Sequence, residues 1–189
     1  EDYIRTNPDV IFEVLEARAR EEAEKERLAE SRVEDVPQGL YEGELVPAVG
    51  PADADVTVVE FFDYNCGYCK RVVGDVNKLI EQDKNVRVVF RELPILSDAS
   101  EEVAKYALAA SKQGKYLEFH TALMEHQGRV GAGTAESISK DLGLDWEKME
   151  ADANSQDVAD ALTRNLELAQ ELRVRGTPFF LIGKEKAPG

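Results

Sequence analysis

The sequence is poor in cysteine, in histidine and in long apolar runs, and poor in basic residues relative to acidic ones. Each scarcity excludes something. Two cysteines among 189 residues cannot form a framework of disulfides, so the fold must be held by its core. With 43% hydrophobic residues the chain can build one domain with an appendage. No apolar run approaches the roughly 18 residues of a membrane span. Only 23 Lys and Arg stand against 38 Asp and Glu, a net charge of −15. That balance argues against a nucleic-acid surface, which needs clustered cations, and favours neutral or basic partners. The opening Glu1-Asp2-Tyr3 has neither the basic nor the apolar stretch of a secretory signal. A mature, processed or trimmed chain is expected.

Read for organisation, the chain falls into five stretches. Residues 1–33 carry a long helix, expected over 8–31, with Asn7 as its N-cap and Pro8 at its first position. Ile4, Ile11, Leu15, Ala19 and Ala23 share one stripe, flanked by Val10, Val14 and Ala17. From Arg20 to Glu30 the helix is mostly charged. An apolar stripe on a charged stalk suits an oligomerisation helix, and folding back on its own domain is the alternative. The repeat is too short to fix a coiled-coil order. Residues 34–55 are rich in Pro, Gly and acid and form a linker with a short first strand around 44–49.

Residues 56–97 read as strand, helix, strand. "VTVVEFF" (56–62) is β-branched and aromatic, Val72, Val73, Val76, Leu79 and Ile80 recur at helical spacing, and "VRVVFREL" (86–93) is the next strand. This is a βαβ unit. Residues 98–171 are almost wholly helical. Ser100 opens an incomplete capping box, Gly114 interrupts, 128–133 is a loop, Thr134 is the expected cap of the next helix and Gly143 its stop. Residues 172–189 turn at Arg175-Gly176-Thr177-Pro178 and enter the strand "FFLI".

Both cysteines lie in "EFFDYNCGYCK" (60–70). Structural zinc needs four ligands. His120 and His126 are the remaining candidates, but six helical positions rotate them by roughly 600°, toward different sides. Both are expected to be surface or half-buried helix residues. A purely structural staple would close a very small loop and remove little entropy from the unfolded chain. A redox pair has a mechanism. A helix starting near Cys66 aims free N–H groups and the positive end of its dipole at that sulfur. Cysteines so placed ionise at about 3.5 to 7.5 instead of about 8.5. A three-unit drop is on the order of 4 kcal/mol in favour of thiolate. Cys69, one turn further in, is expected to be more buried and less ionised. Glu60 puts one acid into a buried apolar strand, which is costly unless the charge has a use. Asp63 is expected in the exposed loop, and Tyr64 and Asn65 at the border of the site.

With "VVEFFDYNCGYC", a helical insert and "VRGTPFFLIG" in that order, the chain resembles the DsbA-like branch of the thioredoxin superfamily over residues 44–187. The CGYC dipeptide and the long N-terminal helix look most like the Com1/ScsC (suppressor of copper sensitivity protein C) subgroup. That family's founding oxidase is itself among the known cases of a depressed cysteine pKa. The resemblance implies an α/β thioredoxin fold with an inserted helical domain behind an N-terminal oligomerisation helix. It implies Cys66 as nucleophile, Cys69 as resolving cysteine and Gly67-Tyr68 as the dipeptide that tunes redox poise. Thr177-Pro178 becomes the loop facing the cysteines, its proline cis, where the backbone of the preceding residue can pair with a substrate strand. Glu60 becomes the buried acid that takes the proton of Cys69, directly or through water.

The activity implied is protein thiol–disulfide exchange, most of all disulfide isomerisation, with no cofactor beyond the Cys66–Cys69 disulfide. The implied partners are disulfide-containing or misfolded secreted proteins, a membrane redox partner that resets the pair, and further copies of the chain, a trimer through residues 1–33. The implied compartment is the bacterial periplasm. A dithiol oxidase is the nearest alternative, and a holdase or copper-handling module using the two thiolates for Cu(I) is another. Family members usually continue past "GKEKAPG" with more strand and a helix across the sheet. A truncated C-terminus, with one sheet face partly uncovered, is therefore expected.

Overall fold

A computed structural model describes residues 14–22 and 31–189. Residues 14–22 are helical, with Val14 and Leu15 exposed; residues 8–13 and 23–30 of the helix expected over 8–31 lie outside the described residues, and Ser31 stands in a turn. The order of elements is β1 (Ala48–Val49), β2 (Val56–Phe62), α1 (Gly67–Gln82), β3 (Val86–Glu92), α2 (Asp98–Lys112), α3 (Tyr116–Glu125), α4 (Ala132–Asp141), α5 (Trp146–Ala153), α6 (Gln156–Glu171), β4 (Phe179–Ile182) and β5 (Glu185–Pro188). Among the described residues, five strands form one sheet in the order β1-β3-β2-β4-β5. β2 and β3 pair in parallel across α1, and the other three pairings are antiparallel. This is the thioredoxin fold expected from the sequence, with helices α2 to α6 between its two halves.

Side-chain alternation along β2 and β3 sorts the core into two layers. Val58, Phe62, Val88 and Phe90 face α1 and the insert helices and pack with Phe119, Leu123 and Met149. Val59, Phe61 and Val89 face the other way, onto Leu168, Leu172, Phe179 and Leu181. Leu40 completes that second layer at 1% exposure, with Val33, Val36 and Val46 beside it. Part of the stretch read as linker is thus a lid on the sheet. It is tied down by Val33 N–H to Lys184 O (2.9 Å) and Tyr41 Oη–H to Gly183 O (3.1 Å). This packing, with α6, covers the second layer, while on the α1 face Phe180 is only half-buried and Ile182 is exposed.

Local signals explain most boundaries. Ser97 caps α2 by accepting from Ser100 N–H, so the cap lies three residues before the one expected. Gly114 and Gly143 follow α2 and α4 in the left-handed region, at φ +72° and +70°, where glycine carries no steric cost. Thr134 does not cap α4. The helix starts three residues earlier, at Ala132 with Gly131 as N-cap, because Ala132, Gly133 and Thr134 already take helical geometry. The first strand shortens to Ala48–Val49. Positive φ values at Gly43, Leu45 and Gly50 keep the flanking chain from extending further.

Candidate active site

The site forms where β2 ends and α1 begins. Cys66 is the N-cap of α1, with extended backbone (φ −81°, ψ 116°), and its own N–H reaches Asp63 O at 3.0 Å. The first turn of the helix therefore has free N–H groups beside the sulfur, and those of Tyr68 and Cys69 donate to it. Burial works against ionisation of Cys66. Donation from the Thr177 hydroxyl, from Cys69 and from Tyr68 outweighs it, and the thiol is held below its ordinary value. In the protonated form Cys66 Sγ–H donates to Thr177 O at 3.2 Å.

Cys69 behaves oppositely. It is fully buried, while Cys66 retains 6% exposure. Burial and the neighbouring Cys66 push its thiol well above the ordinary range, against a bond from the Asp63 backbone. Both cysteines are free thiols here. One residue type at two positions one turn apart is thus split into an easily ionised thiol and a reluctant one.

Thr177 and Pro178 are joined by a cis peptide bond, with Thr177 half-buried facing Cys66 and Pro178 buried. Gly67 and Tyr68 are both exposed. A side chain at Gly67 would meet nothing within 4 Å, which leaves the approach to Cys66 open. Tyr68, at 63% exposure, lies under the Arg71 guanidinium, 4.2 Å from the ring centre. Glu60 sits in the middle of β2 at 2% exposure, opposite Phe90, and burial pushes its carboxyl up to about 8.

Two expectations are corrected. Asp63 is not exposed. It is buried at 1%, accepting from Asn65 N–H at 2.7 Å and Leu96 N–H at 3.0 Å, because a carboxylate that ties two loop amides can leave water. His120 is not at the surface either. It lies at 1% exposure between Phe62 and Phe90, each 4.8 Å away between ring centres, and is stacked on Tyr116. Burial there drives its pKa down to about 3, so the ring is neutral. His126 is exposed at the end of α3, as expected.

Glu92, Tyr116 and Lys70 escaped the sequence reading, while Tyr64 and Asn65, expected at the border of the site, are buried and half-buried beside it. Glu92 is buried at 1%, and its Oε1 accepts from Tyr116 Oη–H at 2.7 Å and Tyr64 Oη–H at 3.0 Å. Tyr64 also meets His120 Nδ1 at 3.1 Å. Burial, with the charges of Asp63 and Glu60, raises Glu92 to about 8 against the two phenol bonds. Asn65 clasps the insert loop, exchanging hydrogen bonds with Val130 O (3.1 Å) and Val130 N–H (2.9 Å). Lys70 donates to His126 O and Gly128 O at 2.7 Å each. These bonds fix the insert against the start of α1.

The profile of the DSBA-like thioredoxin domain matches residues 57–189. A thioredoxin-like oxidoreductase from Silicibacter pomeroyi superposes with a TM-score of 0.77 at 41% identity, covering 81% of this chain and 89% of that one. The catalytic domain of Proteus mirabilis ScsC superposes at 0.73 with 31% identity, covering 80% and 84%. Among curated proteins, a Na(+)/H(+) antiporter NhaA 1 from Salinispora arenicola is 30% identical over 142 residues. That match takes in 74% of this chain and 22% of the antiporter, so the chain spans about a fifth of that relative's length.

Proposed function

The chain belongs to the DSBA-like thioredoxin domain family, and on that premise we propose that it is a protein thiol–disulfide oxidoreductase working as an oligomeric disulfide isomerase. The observation that carries the reading is the inequality of the two thiols: Cys66 ionises easily at the helix start, and Cys69 is buried and protonated. Cys66 thiolate attacks one sulfur of a wrong disulfide in a substrate protein. A Cys66–substrate disulfide forms, and the other substrate sulfur leaves as thiolate with the bonding electron pair. If that thiolate or another substrate thiolate attacks elsewhere and releases Cys66, a disulfide has been moved with no net transfer of electrons.

If no such attack follows, Cys69 resolves the complex. Where Glu60 is ionised, the Cys69 proton passes to its carboxylate, the Cys69 thiolate attacks Cys66 Sγ, and the substrate leaves as thiolate, reduced by two electrons. The protein holds those two oxidising equivalents as the Cys66–Cys69 disulfide, which a membrane redox partner resets. Gly67, Tyr68, Thr177 and Pro178 border the open side of Cys66 and are the proposed substrate contacts. Trimerisation through residues 1–33 would gather several sites around one misfolded chain and raise the local concentration of thiolate. The compartment proposed is the periplasm, where disulfides form and persist.

A specific observation also favours a dithiol oxidase. Stabilising the Cys66 thiolate stabilises the reduced form and makes the disulfide more oxidising. The two readings separate in one experiment. A substrate with scrambled disulfides is refolded with the complete chain and with a chain lacking residues 1–30, which keeps the Arg32 bridge to Glu185 of β5 and the Val33 bond to Lys184 just before it. An isomerase assembled by its helix restores native pairing only when complete. An oxidase fails to restore native pairing in both forms, yet both oxidise a reduced substrate.

A further inference from the structure

The parallel pairing of β2 and β3 sets Glu60 opposite Phe90 and Phe62 opposite Glu92. Alternation then places Glu60 and Glu92 diagonally next to each other on the face that carries both cysteines. Two carboxyls in one buried layer cannot both be ionised without a large penalty, so they titrate as a pair. The ionisable groups around them are Asp63 and Tyr64 on the loop after β2, Tyr116 and His120 on α3, and Cys66 and Cys69 at the start of α1. Among the described residues no cation acts on either carboxyl. Arg91, between Phe90 and Glu92, faces the opposite side of the sheet.

The surroundings of the two acids differ. Both phenols converge on one oxygen of Glu92, Oε1, while Oε2 is buried with no hydrogen-bond partner. Oε1 can accept from Tyr64 and Tyr116 whether Glu92 is carboxylate or acid. With Tyr64 donating to Glu92, neutral His120 supplies Nδ1–H to the Tyr64 oxygen, and this arrangement also serves both states. The orphan oxygen is therefore a place where a proton can be gained or lost without rearranging its neighbours. A buried unsatisfied carboxylate oxygen is otherwise a cost without return.

We propose that Glu92 is a second proton-holding carboxyl of the site, a positioning residue that shares one charge with Glu60 and so sets the pH range over which Glu60 accepts the Cys69 proton. The inference rests on the reading of Glu60 as that acceptor. When Glu92 carries the charge, Glu60 is held protonated and cannot take the proton. When Oε2 is protonated, Glu60 is free to ionise, and the Cys69 proton passes to it as the Cys66–Cys69 bond forms and the substrate thiolate leaves.

The test follows resolution of a mixed disulfide between Cys66 and glutathione, made on the complete chain with glutathione disulfide. Glutathione release is timed across the pH range from acid to alkaline. Glu92→Gln, which keeps the acceptor for both phenols, should move the apparent pKa of release to lower pH by roughly one unit. Tyr116→Phe removes a donor that favours charge on Glu92 and should move it the same way by less. A residue with a merely structural role would change the rate at all pH values alike and leave the midpoint in place. That result, in both variants, overturns the inference. Glu60→Gln should remove the pH-dependent rise altogether. If Glu60→Gln leaves the profile as in the parent, the acceptor reading itself fails and takes the inference with it. Side-chain carboxyl NMR titration of the unaltered chain guards against misfolded variants: two interacting steps support the pairing, and two independent ones refute it.

Discussion

Arg91 and Glu92 are neighbours on β3, both almost fully buried, and they point to opposite faces of the sheet. Their treatment differs completely. Arg91 donates to Leu40 O (Nε at 3.1 Å and Nη2 at 2.6 Å), to Asn165 Oδ1 at 2.9 Å and to Gly39 O. Burial and nearby Arg164 lower its pKa only to about 10, so it keeps its charge. Glu92 has two donors on one oxygen and none on the other, and its pKa has risen close to neutrality. A buried charge that is fully hydrogen-bonded works as a clamp, here fastening residues 39–40 to the sheet. A buried acid left partly unsatisfied can change state, and such groups cluster where protons move. One face of the sheet holds the chain together, and the other carries the thiols and the titratable acids.

The largest expected effect comes from breaking the clamp. Arg91→Met leaves the carbonyls of Gly39 and Leu40 and the Asn165 amide without their donor. It should cost roughly 3–5 kcal/mol in denaturant unfolding while leaving the ionisation of Cys66 in place. Next comes the acid face, where stability should depend on pH. Glu60 and Glu92 are protonated in the fold up to about 8 but ionise near 4.5 in the unfolded chain. Their contribution is full below pH 4.5, declines as pH rises and is gone above 8. Glu92→Gln should therefore match the parent at pH 4.5 and exceed it by on the order of 3 kcal/mol at pH 8, measured by unfolding at each pH.

His120 has the opposite sign. It stays neutral in the fold down to about 3 but takes a proton near 6.5 when unfolded, so its burial costs nothing above 6.5 and destabilises as pH falls toward 3. His120→Phe, filling the same aromatic cage, should gain roughly 2 kcal/mol at pH 4 and lose about 1 kcal/mol at pH 7 with the Tyr64 bond. The smallest effect should come from Asn65→Ala. It frees the loop at Val130 for about 1 kcal/mol of stability and shows as faster amide exchange in residues 128–131.

The parts of this comparison that were legible in the sequence are those carried by short-range pattern. "VTVVEFF" is a strand over the residues expected, Cys66 stands at a helix start, and Glu60 is buried because it interrupts an apolar run. The acid face was hidden because its partners are far apart along the chain. Glu92 meets Tyr64 and Tyr116 across 28 and 24 residues, and Tyr64 meets His120 across 56. "FREL" reads locally as the polar end of a strand. The one usable signal was parity, since Glu92 shares a face with Phe90 and, through parallel pairing, with Glu60. His120 and Asp63 were misplaced for a related reason. A polar residue reads as exposed until its cage or its amide partners are known, and both are built from separate elements.

The two thiols, one helical turn apart, are unequal. Thiolate absorbance of the reduced protein, followed from acid to alkaline pH in the parent, Cys66→Ser and Cys69→Ser, measures this inequality directly. One early ionisation is expected, below the free-cysteine value of about 8.5, that is lost in Cys66→Ser and kept in Cys69→Ser, with the second thiol protonated far into the alkaline range. Two thiols ionising together near the free-cysteine value, or an early step that survives Cys66→Ser, would contradict it.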